Sequence, residues 1–296
     1  MSEWTGKSRG GCFGHRFFIA LISHGGRRAA YLFSSFVVPY FVIFAPKSTK
    51  ASWRYWRRIH GLGRLASIRM VFRHYYRFGQ IIIDKIAAVS GMDSHFEYDF
   101  CNYDAFLNIL NGGTGVVMIG AHLGNWEIGG QFFGNYAPKL NLVMYDAEYQ
   151  KIKSALEKAM GDKAYHVIPV NEDEFSHVFK IKEALDNSEY VCFQGDRSIN
   201  EKHLLEADFM GKKALFPAGP FQIASRFKVP VVFYFSEKEG RDKYSFRFFI
   251  AEPVKRTREI KPEDALLAQY VKVLEERIKC HPDQWFNFYP FWPELA

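Results

Sequence analysis

Apolar positions recur with two different periods, and the change between them divides the chain. From Ser52 to Val89, Ile59, Leu62, Leu65, Ile68, Val71 and Phe72 return at three- and four-residue steps, which predicts amphipathic helix. After Asp99 short β-like runs take over: Val116 to Ala121, Leu140 to Tyr145, His166 to Val170, Tyr190 to Gln194, Val229 to Phe235 and Tyr244 to Ile250. Gln150 to Met160, Glu174 to Asp186 and Gly219 to Phe227 read as helices between them. Pro262-Glu263-Asp264 opens another helix, with Leu267, Tyr270, Val271, Leu274 and Ile278 along one side. This alternation predicts an α/β fold with a mixed, mostly parallel sheet flanked by helices.

The N-terminal pattern is different. Ala29 to Pro46 is an uncharged, mostly apolar run of 18 residues, bounded by Arg27-Arg28 and by Lys47 and Lys50. That is the short limit for crossing a bilayer, and Pro39 would kink a spanning helix or mark a re-entrant or in-plane one. The run starts late and no small-residue cleavage site follows it, so a retained membrane anchor is expected rather than a cleaved signal. A buried globular helix would give the same pattern. The expected organisation is an anchor over 1–50, a basic helical layer over 51–98 and an α/β core over 99–296, with 51–296 forming one compact domain.

Charge sharpens this division. The chain has 296 residues and a net charge of +7, but from Lys47 to Lys85 ten Lys or Arg face one acid, Asp84. Arg54, Arg57 and Arg58 are interleaved with Trp53, Tyr55 and Trp56, a mixture suited to an anionic membrane surface or an acidic carrier protein. Nucleic-acid binding would rest on net charge alone, and the apolar run argues against it. Aromatic residues make up 17% of the chain, which fits a lipid-facing protein as well as a Phe-rich core.

Candidate chemistry centres on Gly120-Ala121-His122-Leu123-Gly124-Asn125-Trp126-Glu127, directly after an apolar stretch. Positions five apart on one helix are separated by about 140°. If a turn through Leu123-Gly124 instead feeds a helix capped by Asn125, Glu127 can fold back toward His122. Histidine titrates nearest neutral pH and could act as a general base, with a carboxylate fixing its tautomer. A core histidine beside a surface glutamate would show the same letters.

Gly195-Asp196-Arg197 follows another predicted strand and so reaches the same carboxyl edge of the sheet, where open α/β sheets bind ligands. Arg197 could bind a phosphate or carbonyl oxygen, and Asp196 could steady Arg197 or His122. Phe216-Pro217-Ala218-Gly219-Pro220 enters a helix whose first amides could face an anion. Asn111 to Gly115 is glycine-rich but precedes its strand, so it reads as a plain turn rather than a phosphate cradle. Cys12, Cys101, Cys192 and Cys280 are scattered and read as reduced thiols, and no metal-ligand spacing occurs. A serine or metal-dependent hydrolase would need a G-x-S-x-G elbow or a ligand cluster, and the sequence has neither.

Taken in order, His122-x4-Glu127, Gly195-Asp196-Arg197, Phe216-Pro217-Ala218-Gly219, Val229-Pro230-Val231-Val232 and His281-Pro282-x-Gln284-Trp285-Phe286 resemble the lipid A biosynthesis acyltransferase family. That family is a late-acting branch of the lysophospholipid acyltransferase superfamily, and the resemblance implies a glycerolipid acyltransferase-like fold. It also implies transfer of a fatty acyl group from acyl carrier protein or coenzyme A to a glycolipid hydroxyl, at the cytoplasmic face of a bacterial inner membrane and without a cofactor. Carried over residue by residue, His122 is the general base and Glu127 its partner. Asn125, Asp196, Arg197, Phe216, Pro217 and Gly219 fall in the oxyanion and substrate-binding blocks. Leu123 stands where members usually carry an aromatic residue, and Tyr145-Asp146 stands where an Arg follows the tyrosine. The second departure leaves the acceptor open between a lipid A precursor and another amphiphile, such as an aryl-polyene lipid, an aminolipid or a lysophospholipid. A lipid-binding protein that has lost catalysis is the remaining alternative.

Overall fold

The computed structural model describes residues 11–89, 91, 96–126, 139–145, 165–170, 176–198 and 203–295. Helix α1 (Gly11–Phe44) is interrupted at Gly26, whose φ of 72° lies in the left-handed region. It leads into α2 (Pro46–Arg54), a π-helical turn (Tyr55–Ile59) and α3 (Arg64–Val89). The break in the predicted 52–89 helix falls at Gly61, where φ is +67°. The α/β part then runs through β1 (Glu97–Cys101), α4 (Tyr103–Leu110), β2 (Val116–Gly120), β3 (Leu140–Tyr145), β4 (His166–Val170), α5 (Ser176–Asp186) and β5 (Tyr190–Gln194). It continues through β6 (Leu204–Phe209), β7 (Lys212–Pro217), α6 (Ala218–Phe227), β8 (Val231–Lys238), β9 (Lys243–Ile250) and α7 (Pro262–Cys280).

Seven strands form one sheet in the order β1-β9-β8-β2-β5-β3-β4, and β6 and β7 form a separate hairpin. Among the described residues, only β8 and β9 pair antiparallel within the large sheet. The mostly parallel α/β architecture is therefore the one the alternation predicts. Strand β1, helix α4 and the hairpin were not foreseen. The predicted helix over 150–160 lies outside the described residues.

Alternate residues of the central strands feed two cores. Val117, Ile119, Val191 and Phe193 pack with α5, α6 and α7, the hairpin, and Trp285, Phe291 and Trp292. Val116, Met118, Tyr190 and Cys192 pack on the opposite face with α1, α3, α4 and β9. Both cores also take residues from the N-terminal helices: Tyr55, Trp56 and Val71 on the first side, and Ala30, Ile83 and Ala87 on the second.

Helix α1 is held to this body by buried charge. Asp84 of α3 is fully buried and bonds Lys238 Nζ and the Tyr244 hydroxyl, each at 2.5 Å, together with the Tyr31 hydroxyl. Arg27 of α1 reaches Asp84 at 3.6 Å and Asp242 at 2.8 Å. Among the described residues no single helix is long and apolar enough to cross a membrane. Phe17–Phe44 and Pro46–Ile59 reach that length and composition together, but with a 95° bend between them. The bend falls at Ala45, which precedes Pro46 and leaves the helical region with φ −118° and ψ 61°, and not at Pro39. Pro39 lies inside α1 on its exposed side.

Candidate functional site

The site follows from strand register. Strands β2 and β5 are parallel neighbours with Val116 opposite Tyr190 and Gly120 opposite Gln194. Two residues beyond each strand end stand His122 and Asp196, which the same register carries out of the sheet side by side. His122 Nδ1 lies 2.8 Å from Asp196 Oδ1, and the His122 backbone N–H donates to Asp196 Oδ2 at 3.0 Å. A carboxylate can only accept, so Nδ1 carries a proton, and in the neutral ring the lone pair is then on Nε2. The His122 ring is 12% exposed, and Trp126 packs on it with centroids 4.8 Å apart.

The turn after His122 has a steric requirement. Gly124 has a φ of +63°, and a Cβ built there would lie 1.8 Å from the Ser236 carbonyl oxygen. The chain can therefore lie flat against the end of β8, where Asn125 N–H donates to that same oxygen at 2.8 Å. Gly195 is similarly confined, since a Cβ would lie 2.6 Å from Ile119 Cγ2 and 2.9 Å from Tyr270 Cζ. Tyr270 of α7 donates to Gly120 O at 2.8 Å and fixes the strand exit.

The aromatic C-terminal segment locks both halves of the pair. Phe286 N–H donates to His122 O at 3.0 Å, and Gly124 N–H donates to Gln284 O at 2.9 Å. The Trp285 indole donates to Asp196 Oδ2 at 2.9 Å, and the Tyr289 hydroxyl donates to Asp196 O at 2.9 Å. Arg197 donates to Phe286 O at 2.5 Å with its guanidinium over the Tyr289 ring. Burial pushes the Asp196 carboxyl up, but His122, Arg197 and the Trp285 indole outweigh it and hold it below the usual carboxylate range.

The remaining predicted residues are placed as follows. Glu127 lies outside the described residues. Asn125 is buried beside Tyr244. Phe216 is fully buried among Phe209, Tyr270 and Phe291, and Pro217 beside it caps α6. Gly219 is exposed in the first turn of α6. Arg58 is exposed and Arg54 half-buried, while Arg57 bonds Leu62 O at 2.5 Å and so ties down the helix break. Two further arginines of the basic layer pair with the buried Asp283: Arg73, itself exposed, at 2.7 Å, and the part-buried Arg77 at 3.5 Å.

Among the described residues, Glu237, Glu239 and His281 are the acidic and histidine groups close enough to share a cation. Arg247 already spans both carboxylates, at 2.9 Å from Glu237 and 3.4 Å from Glu239. Arg277 adds a second positive charge at 3.4 Å. The cluster is thus an ion-pair network in which arginine occupies a cation's place. No disulfide joins Cys101, Cys192 or Cys280.

Trp285, Tyr289 and Tyr270 were not assigned to the site from sequence. For Trp285 and Tyr289 the signal was available, because an aperiodic aromatic tail carrying donors has to satisfy them somewhere once buried.

The bacterial lipid A biosynthesis acyltransferase family model matches residues 66–293. Curated relatives are distant. A phosphatidylinositol mannoside acyltransferase of Mycobacterium tuberculosis (strain ATCC 25618 / H37Rv) is 24% identical over 187 residues, which is 62% of this chain and 56% of the relative. One of Mycolicibacterium smegmatis (strain ATCC 700084 / mc(2)155) is 25% identical over 132 residues, 43% of this chain and 42% of the relative. The chain thus spans about half the length of the curated relatives it matches.

Proposed function

Because the chain belongs to the bacterial lipid A biosynthesis acyltransferase family, we propose that it moves a fatty acyl group from a thioester to a hydroxyl of a membrane lipid, with His122 as general base. The observation that carries this reading is the hydrogen bond from His122 Nδ1 to Asp196, which leaves Nε2 free to accept a proton. The acceptor hydroxyl gives its proton to Nε2 as its oxygen bonds the thioester carbonyl carbon. The tetrahedral intermediate then expels the thiolate, which takes the proton back from Nε2. Asp196 keeps the tautomer and stabilises the imidazolium, as in triad chemistry, and no acyl-enzyme is formed. Arg197 adds positive charge beside the pair. Because Asp196 takes Nδ1 and the acceptor hydroxyl takes Nε2, Glu127 is kept in this reading only as a further negative charge and not as a hydrogen-bond partner of the ring.

The donor is a thioester of acyl carrier protein or coenzyme A, and the acceptor is a glycolipid. The relatives' names, phosphatidylinositol mannoside acyltransferase, support a glycosylated lipid of which a lipid A precursor is one instance.

The reaction belongs at a membrane surface, at the cytoplasmic face of the inner membrane. Leu32, Phe36, Tyr40, Ile43 and Phe44 of α1 are exposed, whereas its opposite side is fastened to Asp84. An apolar groove of about 380 Å³ opens at the α1–α2 bend, lined by Val42, Pro46, Trp53, Ile68, Val71 and Phe72. Such a helix lies in the interface with its free side in the acyl region, while Arg54 and Arg58 meet anionic headgroups.

The test is transfer of a radiolabelled acyl group to extracted lipid by wild type and His122→Ala. General base catalysis contributes roughly 10²- to 10⁴-fold, so the variant should lose nearly all turnover while still binding vesicles. Substantial transfer by His122→Ala would remove the base assignment. Lipid binding by the wild type without thioester turnover would identify a non-catalytic lipid-binding protein.

A further inference from the structure

We propose that His74, on α3, is a positioning residue for the His122–Asp196 pair and acts through Trp285. The proposal rests on the reading of His122 as the base.

The ring of His74 is fully buried and makes two directional bonds. Nε2 lies 2.9 Å from Trp285 O, and Nδ1 lies 2.9 Å from the Ser52 hydroxyl on α2. A carbonyl oxygen can only accept, so the proton is on Nε2 and the neutral ring accepts from Ser52 through Nδ1. Burial pushes the pKa of His74 down to about 4, so the ring stays in this neutral form at physiological pH.

The far side of Trp285 carries the consequence. Its indole donates to Asp196 Oδ2, and Asp196 holds His122 by ring and backbone. A continuous buried chain therefore runs Ser52, His74, Trp285, Asp196, His122, from the helical layer to the base. A second contact has the same direction, because His74 stacks on Phe288 and Phe286 at 4.5 and 5.8 Å and Phe286 N–H grips His122 O. Phenylalanine could fill this space and keep the stacking. Only a group that donates on one side and accepts on the other sets the rotation of the Trp285 backbone, and with it the indole.

His74→Phe preserves the ring and removes both bonds, and His74→Gln restores a donor toward Trp285. The experiment measures kcat and KM for the acyl thioester in the full chain, and records the Trp285 indole N–H resonance by NMR, assigned by its loss in Trp285→Phe. We expect His74→Phe to lower kcat roughly 10- to 100-fold with KM unchanged, to move the indole resonance, and to be largely rescued in both by His74→Gln. An unmoved resonance with wild-type kcat overturns the proposal, as does a Gln variant no better than Phe. If His74→Phe does not fold, Ser52→Ala serves in its place, with a smaller change in the same two readouts expected and no change in either overturning. The indole resonance does not depend on turnover, so failure of the His122 assignment and failure of this inference are separable.

Discussion

Asp196 grips His122 at two atoms, with Oδ1 2.8 Å from the ring Nδ1 and Oδ2 3.0 Å from the backbone N–H. One carboxylate thereby fixes both where the His122 ring stands and that its Nδ1 carries a proton. Replacing Asp196 with Asn preserves the shape but offers an amide that can donate where an acceptor is needed. We expect Asp196→Asn to lower kcat roughly 10²- to 10⁴-fold with little change in KM. Steady-state kinetics with an acyl thioester would check this, and a near-wild-type kcat would show that Asp196 does not serve the base.

Gly124 is required by sterics alone. Alanine there would put a methyl group into Ser236 O at a positive φ, forcing the His122 turn off the end of β8. We expect Gly124→Ala to cost about 2 to 4 kcal/mol of stability, read as a lower urea midpoint at an unchanged slope.

The buried pair Asp84–Lys238 joins α3 to β8, with both side chains fully enclosed. Asp84→Ala leaves an ammonium without its counter-ion, a change that typically costs about 3 to 5 kcal/mol. The double variant Asp84→Leu with Lys238→Met should regain only part of that loss, because the ammonium goes with its counter-ion but the Tyr31 and Tyr244 hydroxyls lose their acceptor. Chemical denaturation of the three proteins would show whether it does.

Acid should weaken the fold in a window that His74 shares with His60, whose pKa burial also lowers to about 4. Both folded values lie below the ordinary histidine value, so unfolded chains bind a proton first as pH falls. The stabilisation is complete above about pH 6.5 and is lost progressively toward pH 4, reaching about 3 kcal/mol at most for His74. Asp196 and Asp283 are held low, so their contributions are present above the ordinary carboxylate pKa and are lost only at still lower pH. Unfolding midpoints between pH 7.5 and 4.5 should therefore fall in the wild type and fall less in His74→Gln.

Membrane docking should combine apolar and charged contributions. Phe36→Asp with Ile43→Asp should weaken vesicle binding at any salt concentration. Arg54→Glu with Arg58→Glu should weaken it mainly at low ionic strength, because exposed charges are screened. Arg57→Glu should also destabilise the fold, since Arg57 holds Leu62 O. Co-sedimentation with anionic and neutral vesicles would separate these effects.

The sequence by itself determined the architecture. Alternating apolar runs located the central strands and their crossover helices, because a strand buried on both faces has to be continuously apolar. Strand exits at Gly120 and Gln194 placed His122 and Asp196 on one edge. Some local features were also legible, among them the glycine turn after His122 and the proline-led helix at Pro262. The edge strand β1 was not, because its residues alternate only between exposed and half-buried and it is defined by its partner β9.

Tertiary structure alone decided which groups meet. That β2 and β5 are neighbours, although their paired residues lie 74 positions apart in the chain, is a matter of sheet order, and only that adjacency brings Asp196 onto His122. The pairing of Arg73 and Arg77, on a helix that reads as basic, depends on Asp283 arriving from the far end of the chain. Periodicity records which side of an element is apolar. It does not record which distant donor will satisfy a buried carboxylate, because that bond exists only once the chain has closed around it.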